Sequence, residues 1–478
     1  MLSRFPDDFL FGSASAAYQV GGAYREDGKG ESIWDQWTKI EGKTYKGTNG
    51  DVAADHYHRY KEDIALMKEM GLKAYRFSVS WPRILPKGRG EVEKKGLKFY
   101  HDLIDDLLKN NIEPVMTLYH WDLPLALQEE YGGWESRKII EDFKNYAGIL
   151  FKEYGQKVKY FIILNEPNIF TQLAYVLALH PPGKKDMKTF LQAYHHTALV
   201  HAEVVKLFKE GEYPDQIGSS IAYSPGYAAS DNPKDLEAKR RYEETINHWI
   251  MDSFYKGEYP KWGMEEFTRR GIAPKIMPED YGVLKAGAEL SDFIGINYYQ
   301  SVTLAYNPED GISLGEVNVS GEKGNFQESG IPGLYKQVFN HELEYTDWDW
   351  AIDPDGLYQA LVEITKRYEK PIIISENGIG AFDKVEEGEI HDTYRIDYFR
   401  EHLRACLRAM DEGVELIGFC TWSFTDLLSW LNGYQKRYGF VYIDFEDDAL
   451  PRVKKESFYF YQQVIKTYGE NLMKEENE

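Results

Sequence analysis

Eight short apolar runs recur along this 478-residue chain, at 9–13, 72–79, 112–119, 158–165, 217–223, 293–299, 372–376 and 416–422. Those at 158–165 and 372–376 are rich in Ile and bounded by Pro or Gly. Runs of this length and composition predict buried parallel strands. Between them the period changes. Leu97, Tyr100, Ile104, Leu107 and Leu108 are spaced for one face of a helix. So are Tyr57, Tyr60, Ile64, Met67 and Met70, a stripe that stops at Gly71 as a helix with a C-terminal glycine would. Eight strand-then-helix units imply a parallel sheet with right-handed crossovers, closed into an α/β barrel of the (β/α)8 kind with elaborated βα loops. No shift of composition and no Pro/Ser-rich linker interrupts the series, so one domain over 1–478 is expected. One stretch breaks the rhythm: 305–346 is rich in Gly, Asn, Glu and Ser and keeps no period. A loop that long on a barrel rim is expected to act as a lid.

Two runs end in glutamate. Glu166 follows Ile-Ile-Leu-Asn165, and Glu376 follows Ile-Ile-Ile-Ser375. Carboxylates at the carboxyl ends of barrel strands sit where such barrels build active sites. A pair of them facing one cleft is what glycoside hydrolysis requires, one to protonate the leaving oxygen and one to meet the sugar carbon.

Charge and composition remove other classes. With 56 Lys and Arg against 78 Asp and Glu, the formal charge is −22. Such a chain is a poor partner for nucleic acid or an anionic membrane, which are bound by neutralising phosphate. Aromatic residues make up 15% of the chain, enough for a core and for ring faces that pack on sugars. Cys406 and Cys420 provide no disulfide framework and fit a reducing compartment. The first residues carry no apolar signal segment, and no run reaches membrane-spanning length, so a soluble cytoplasmic protein is expected. Self-association is left open. The pairs His56/His58 and His195/His196 have no carboxylate or Cys at metal-ligand spacing and are read as structural. Gly21-Gly22 and Gly28-Lys-Gly30 form no phosphate cradle, and Asn318-Val-Ser320 is a glycosylation sequon by pattern only. No metal and no cofactor is called for, since two carboxylates complete the chemistry.

Across nearly its whole length the chain resembles the family-1 glycoside hydrolases, which are retaining β-glycosidases. The segments that carry the resemblance are Phe9-Leu-Phe-Gly-Ser-Ala-Ser-Ala-Ala-Tyr18-Gln19, Asp55-His-Tyr-His-Arg59 and Ala74-Tyr-Arg76-Phe-Ser-Val-Ser-Trp-Pro-Arg83. Thr117-Leu-Tyr-His120-Trp121-Asp-Leu-Pro124, Asn165-Glu166-Pro167, Asn297-Tyr-Tyr299, Ser375-Glu376-Asn377-Gly378 and Thr421-Trp422-Ser423 complete the series in family order. The resemblance implies that Glu166 is the acid/base and Glu376 the nucleophile, oriented by Arg76 and Tyr299. It implies that Asn165 contacts the sugar 2-hydroxyl and that Gln19, His120 and Trp121 hold the 3- and 4-hydroxyls. Trp422 matches the platform under the ring, Asn297 belongs to the same rim, and Trp350 matches the aromatic wall of the leaving-group site.

One departure bears on the substrate. Neutral-sugar glucosidases of the family carry a glutamate after the eighth strand that grips the 4- and 6-hydroxyls, whereas this chain has Ser429 there. Ser429, Lys436 and Tyr438 follow the Ser-x6-Lys-x-Tyr spacing of the 6-phospho-β-glycosidases within the family. A glutamate would repel a 6-phosphate and a lysine attracts it. Trp430 matches a tryptophan that points its indole N–H at an axial 4-hydroxyl in 6-phosphogalactoside-cleaving relatives. The expectation is therefore a 6-phospho-β-galactosidase that also accepts 6-phospho-β-glucosides, acting on phosphorylated disaccharides or related β-glycosides. The alternatives are a neutral-sugar β-glucosidase or β-galactosidase and a catalytically silent sugar-phosphate sensor. The sensor reading leaves the joint presence of Glu166, Glu376, Arg76 and Tyr299 without a purpose.

Overall fold

The computed structural model describes residues 2–473. Each predicted run becomes a strand: β1 (Leu10–Ala14), β2 (Ala74–Ser78), β3 (Glu113–Tyr119) and β4 (Tyr160–Asn165). The second half supplies β5 (Gln216–Ala222), β6 (Ile294–Tyr298), β7 (Ile372–Asn377) and β8 (Leu416–Trp422). They pair in parallel in chain order, and β8 pairs with β1 to close the barrel. Helices cover the outside. α1 (His56–Met70) ends at Gly71, whose φ of 85° lets its N–H bond back to the Met67 and Lys68 carbonyls. α2 (Lys94–Lys109) buries Tyr100, Leu103, Ile104 and Leu107. Leu108, expected on that stripe, is exposed at its edge, and Leu103 takes the buried place.

The barrel interior changes character along its axis. At the amino ends of the strands Ala74, Val115, Ile162, Phe293 and Ile373 pack together. Inward positions recur every two residues, so Arg76, Thr117 and Ser375 come next on their strands, and Asn297 lies two such steps after Phe293. All four are buried. Asn165 and Glu376 break the alternation. The register shifts between Ile162 and Asn165 where β4 meets β5, and between Ile374 and Glu376 where β7 meets β6. Bulges re-aim side chains in this way beside functional clefts. Here they turn both residues inward.

The stretch expected to be an aperiodic lid is partly sheet. Ser329–Ile331 and Tyr335–Val338 join Val302–Ala305 and Gly226–Ala228 in a four-stranded sheet on the rim. Glu344–Tyr345 pairs with Ala351–Ile352. Among the described residues no helix is long and apolar enough to cross a membrane.

Candidate active site

Arg76 organises the floor of the cleft. The side chain is fully buried, yet each of its nitrogens has a partner. Nη1 donates to Glu376 Oε1 at 2.6 Å and to the Ser375 carbonyl at 3.1 Å. Nη2 donates to Asn165 Oδ1 at 2.7 Å, and Nε to Thr117 Oγ1 at 3.0 Å. The Tyr299 hydroxyl, just beyond β6, donates to the other oxygen of Glu376 at 2.6 Å. Burial raises the Glu376 pKa above the usual carboxylate value, and the guanidinium and the phenol hydroxyl work against that rise by favouring its carboxylate.

Glu166 stands in a different environment. It caps the helix α3 (Pro167–Tyr175) in the left-handed region, with φ of 47°, and Pro167 fixes the first helical position. The strained backbone aims the side chain back over the barrel mouth. Burial and the negative charge of Glu376 raise its pKa to about 8, so it holds its proton at neutral pH. Asn297 donates from Nδ2 to Glu166 Oε1 at 2.8 Å and to Asn165 Oδ1 at 3.0 Å. Since Oε1 accepts, the acidic proton belongs on Oε2. The Asn297 amide is itself fixed, because Ser375 Oγ donates to its Oδ1 at 2.7 Å. The two buried carboxyls thus sit in unequal surroundings, since Arg76 and Tyr299 bond only Glu376.

The rest of the cleft is a wall of orphaned polar atoms and rings. Asn165 Oδ1 is used by Arg76 and Asn297, so its Nδ2 is the donor in the 3.0 Å contact with His120 Nε2. His120 is neutral, because burial and Arg76 hold its pKa well below the ordinary histidine value. Its proton therefore sits on Nδ1, which has no protein partner. Gln19 donates from Nε2 to the Leu428 carbonyl at 2.8 Å and leaves Oε1 unpaired. Trp121 is pinned at φ 79° with its indole N–H on the Asn165 carbonyl at 2.9 Å. Trp422 lies nearly parallel to the His120 ring, with centroids 5.6 Å apart. Buried polar atoms without partners are costly, and here they face a cavity of about 230 Å³ that also holds Glu166 and Glu376.

Ser429, Trp430, Lys436 and Tyr438 line the same cavity. Trp430 packs between Trp34, at 4.3 Å between ring centroids, and Trp121, at 5.0 Å. Lys436 is 1% exposed and, among the described residues, forms no ion pair or hydrogen bond. Its ammonium lies over the rings of Trp350 at 3.6 Å, Trp348 at 4.7 Å and Tyr438 at 5.6 Å. Burial drives its pKa well below the ordinary lysine value, opposed only by the charge of Asp347. Gly380 makes the approach feasible, since a Cβ there would stand 2.5 Å from Lys436 Cε and 2.8 Å from Tyr438 Cζ. Trp350, expected as a leaving-group wall, lines the cavity, meets the Tyr299 ring edge-on at 5.5 Å and covers the ammonium.

A glycosyl hydrolase family 1 model matches residues 1–470. The chain belongs to that family. Among curated relatives, this family-1 hydrolase is 55% identical to the aryl-phospho-beta-D-glucosidase BglC of Bacillus subtilis (strain 168), over 98% of each chain. It is 41% identical to a 6-phospho-beta-galactosidase of Clostridium acetobutylicum, over 97% of each. Among solved structures, a family 1 β-glucosidase from Thermotoga maritima superposes with a TM-score of 0.89 at 36% identity. That match covers 98% of this chain and all of the other. As a member of family 1 the protein is a retaining glycoside hydrolase.

Sequence reasoning missed several residues of the cavity. His180, Ile169, Leu173, Tyr223, Gln300 and Asn432 line it without a local motif to announce them. Three of the four histidines in the His56/His58 and His195/His196 pairs do meet carboxylates, each in a hydrogen bond and not in a metal-like cluster. His56 bonds Asp63 at 2.7 Å, His58 bonds Asp55 at 2.6 Å, and His195 bonds Asp280 at 3.0 Å. Asp63 and Asp55 were near enough in sequence to be noticed. No three such groups meet at a metal-sized spacing among the described residues.

Proposed function

We propose that this family-1 hydrolase cleaves 6-phospho-β-glycosides of both the gluco and the galacto series, and that its whole length is one catalytic domain. One observation carries the reading. Lys436 is a buried side chain without an acid partner among the described residues, in the cavity that holds the two glutamates. Burying an uncompensated charge costs stability, and a phosphate oxyanion supplies the missing partner. Ser429 and Tyr438 add hydroxyl donors beside it. The phosphorylated-substrate names of two relatives support the same reading.

In this reading Glu376 attacks the anomeric carbon while Glu166 gives its Oε2 proton to the departing glycosidic oxygen. The glycosyl–Glu376 ester is then hydrolysed by a water that returns its proton to Glu166, so both carboxyls end as they began. Arg76 and Tyr299 hold Glu376 ionised and aimed. Asn165, His120, Gln19 and Trp121 engage the ring hydroxyls over the Trp422 face. The Trp430 indole can only donate a hydrogen bond, which suits an axial or a slightly shifted equatorial 4-hydroxyl. Substrates of this kind arise where a glycoside is phosphorylated on entry to the cell, so the enzyme works in the cytoplasm, downstream of a phosphorylating uptake reaction.

The test is kcat/KM on nitrophenyl β-galactoside and β-glucoside, each with and without the 6-phosphate. Both phosphorylated substrates should be strongly preferred. Lys436→Ala should cut kcat/KM on them by about one to two orders of magnitude, far more than on the neutral pair. Ser429→Glu should shift preference toward neutral sugars by repelling phosphate. A wild-type enzyme that prefers the neutral glycosides would overturn the reading.

A further inference from the structure

Asn432 stands three residues after Ser429 and lines the same cavity. Its amide is oriented by both neighbours. Nδ2 donates to the Val319 carbonyl at 2.7 Å, and Oδ1 accepts from Ser429 Oγ at 3.1 Å. An amide nitrogen carries two hydrogens, and the Val319 bond uses one. The other has no acceptor among the described residues.

The Val319 carbonyl is a fixed feature of the rim. Trp348 Nε1 donates to it at 3.4 Å and Gln435 Nε2 at 3.5 Å. The preceding residue is tied down as well, since Asn318 Nδ2 donates to the Asp349 carboxylate at 2.9 Å. The Asn432 amide joins those two donors on the carbonyl and keeps its second N–H for the cavity that Asn432 lines. The same amide holds the Ser429 hydroxyl in place, with its hydrogen on the Asn432 side until a stronger acceptor draws it away.

Resting on the 6-phosphoglycoside reading, we propose that Asn432 is a specificity-determining residue. It is a fourth phosphate contact through its second Nδ2–H, and it joins the 305–346 excursion to the phosphate loop. Ser429, Asn432, Lys436 and Tyr438 would then surround the phosphate with donors only. This fits a dianion that must give up its water and accept hydrogen bonds at every oxygen.

The test compares Asn432→Asp and Asn432→Ala with wild type on nitrophenyl glycosides with and without the 6-phosphate. Aspartate has nearly the shape of asparagine but replaces the N–H by a charged acceptor. It should lower the phosphorylated-to-neutral ratio of kcat/KM by about 100-fold. Alanine removes the donor without adding charge and should lower the ratio by about 5–10-fold. Both losses should appear in KM, with kcat largely kept, because the phosphate is remote from the bond being broken. If Asn432→Asp does not fold, the alanine variant carries the same comparison. Equal losses on both substrates, or a fall in kcat with KM unchanged, would reduce Asn432 to a loop brace and overturn the proposal. A wild type indifferent to the 6-phosphate would overturn the underlying reading and this proposal with it.

Discussion

The Lys436 ammonium lies 3.6 Å from the centroid of the Trp350 ring, and among the described residues no carboxylate pairs with it. A cation over an aromatic face recovers about 0.5–2 kcal/mol, less than the cost of removing an ammonium from water. The free enzyme therefore carries an uncompensated cost at this position. Lys436→Met, of similar length and without charge, should stabilise the unliganded protein by about 1–3 kcal/mol. Chemical denaturation measures it. The sign of the pH dependence follows from the lowered pKa of Lys436. The unfolded chain binds that proton more tightly, so the penalty is complete below the folded pKa and is relieved as pH rises toward the ordinary lysine value. The advantage of the methionine variant should shrink on the alkaline side. A variant no more stable than wild type at neutral pH would show that the ammonium is adequately solvated.

The same titration should appear in substrate choice. As pH rises through the lowered Lys436 pKa, the ammonium disappears and the advantage of phosphorylated substrates falls. The Glu166 proton, lost near pH 8, acts on both substrate classes and cancels in their ratio. Plotting the ratio of kcat/KM values against pH isolates Lys436. A ratio that does not change with pH anywhere the enzyme stays folded would exclude Lys436 as the charged partner of a phosphate.

Glu166 should reveal its role through the leaving group. Glu166→Gln should slow glycosides with sugar leaving groups by orders of magnitude, while formation of the glycosyl-enzyme from nitrophenyl glycosides suffers much less, because nitrophenolate departs unprotonated. Azide should rescue the second step by replacing the water that Glu166 activates. In the wild type the basic limb of kcat/KM should fall near pH 8. Equal losses on both kinds of substrate, without azide rescue, would assign the proton to another group.

Tyr299→Phe removes the 2.6 Å hydrogen bond to Glu376 and leaves Arg76 as its chief support. The carboxylate loses a donor, so its pKa rises and the acidic limb of kcat/KM moves to higher pH. Activity at neutral pH should fall by about 10–100-fold. An acidic limb that stays in place would mean that Tyr299 only packs against Trp350.

Much of this was local and therefore legible. The strand and helix periods repeat within about ten residues, and the glutamates at the ends of two apolar runs pointed to the barrel rim, where both line the cavity. Distance in sequence hid the rest. Arg76 and Glu376 are 300 positions apart, and only closure of β8 on β1 brings their strands around one cleft. The bulges that turn Asn165 and Glu376 inward leave no local mark, because they depend on register between strands.

The loop after β8 makes the division plainest. The Ser-x6-Lys-x-Tyr pattern singled out Lys436 by resemblance, but composition and charge alone do not separate it from its neighbour Arg437. Successive side chains of an extended segment face opposite ways. Arg437 turns outward and takes Asp426 at 2.7 Å. Lys436 turns inward between two tryptophans and takes no acid. The pattern thus determined which residues would gather on the loop. Tertiary packing decided which of the two charges stayed uncompensated, and so where an anion would be held.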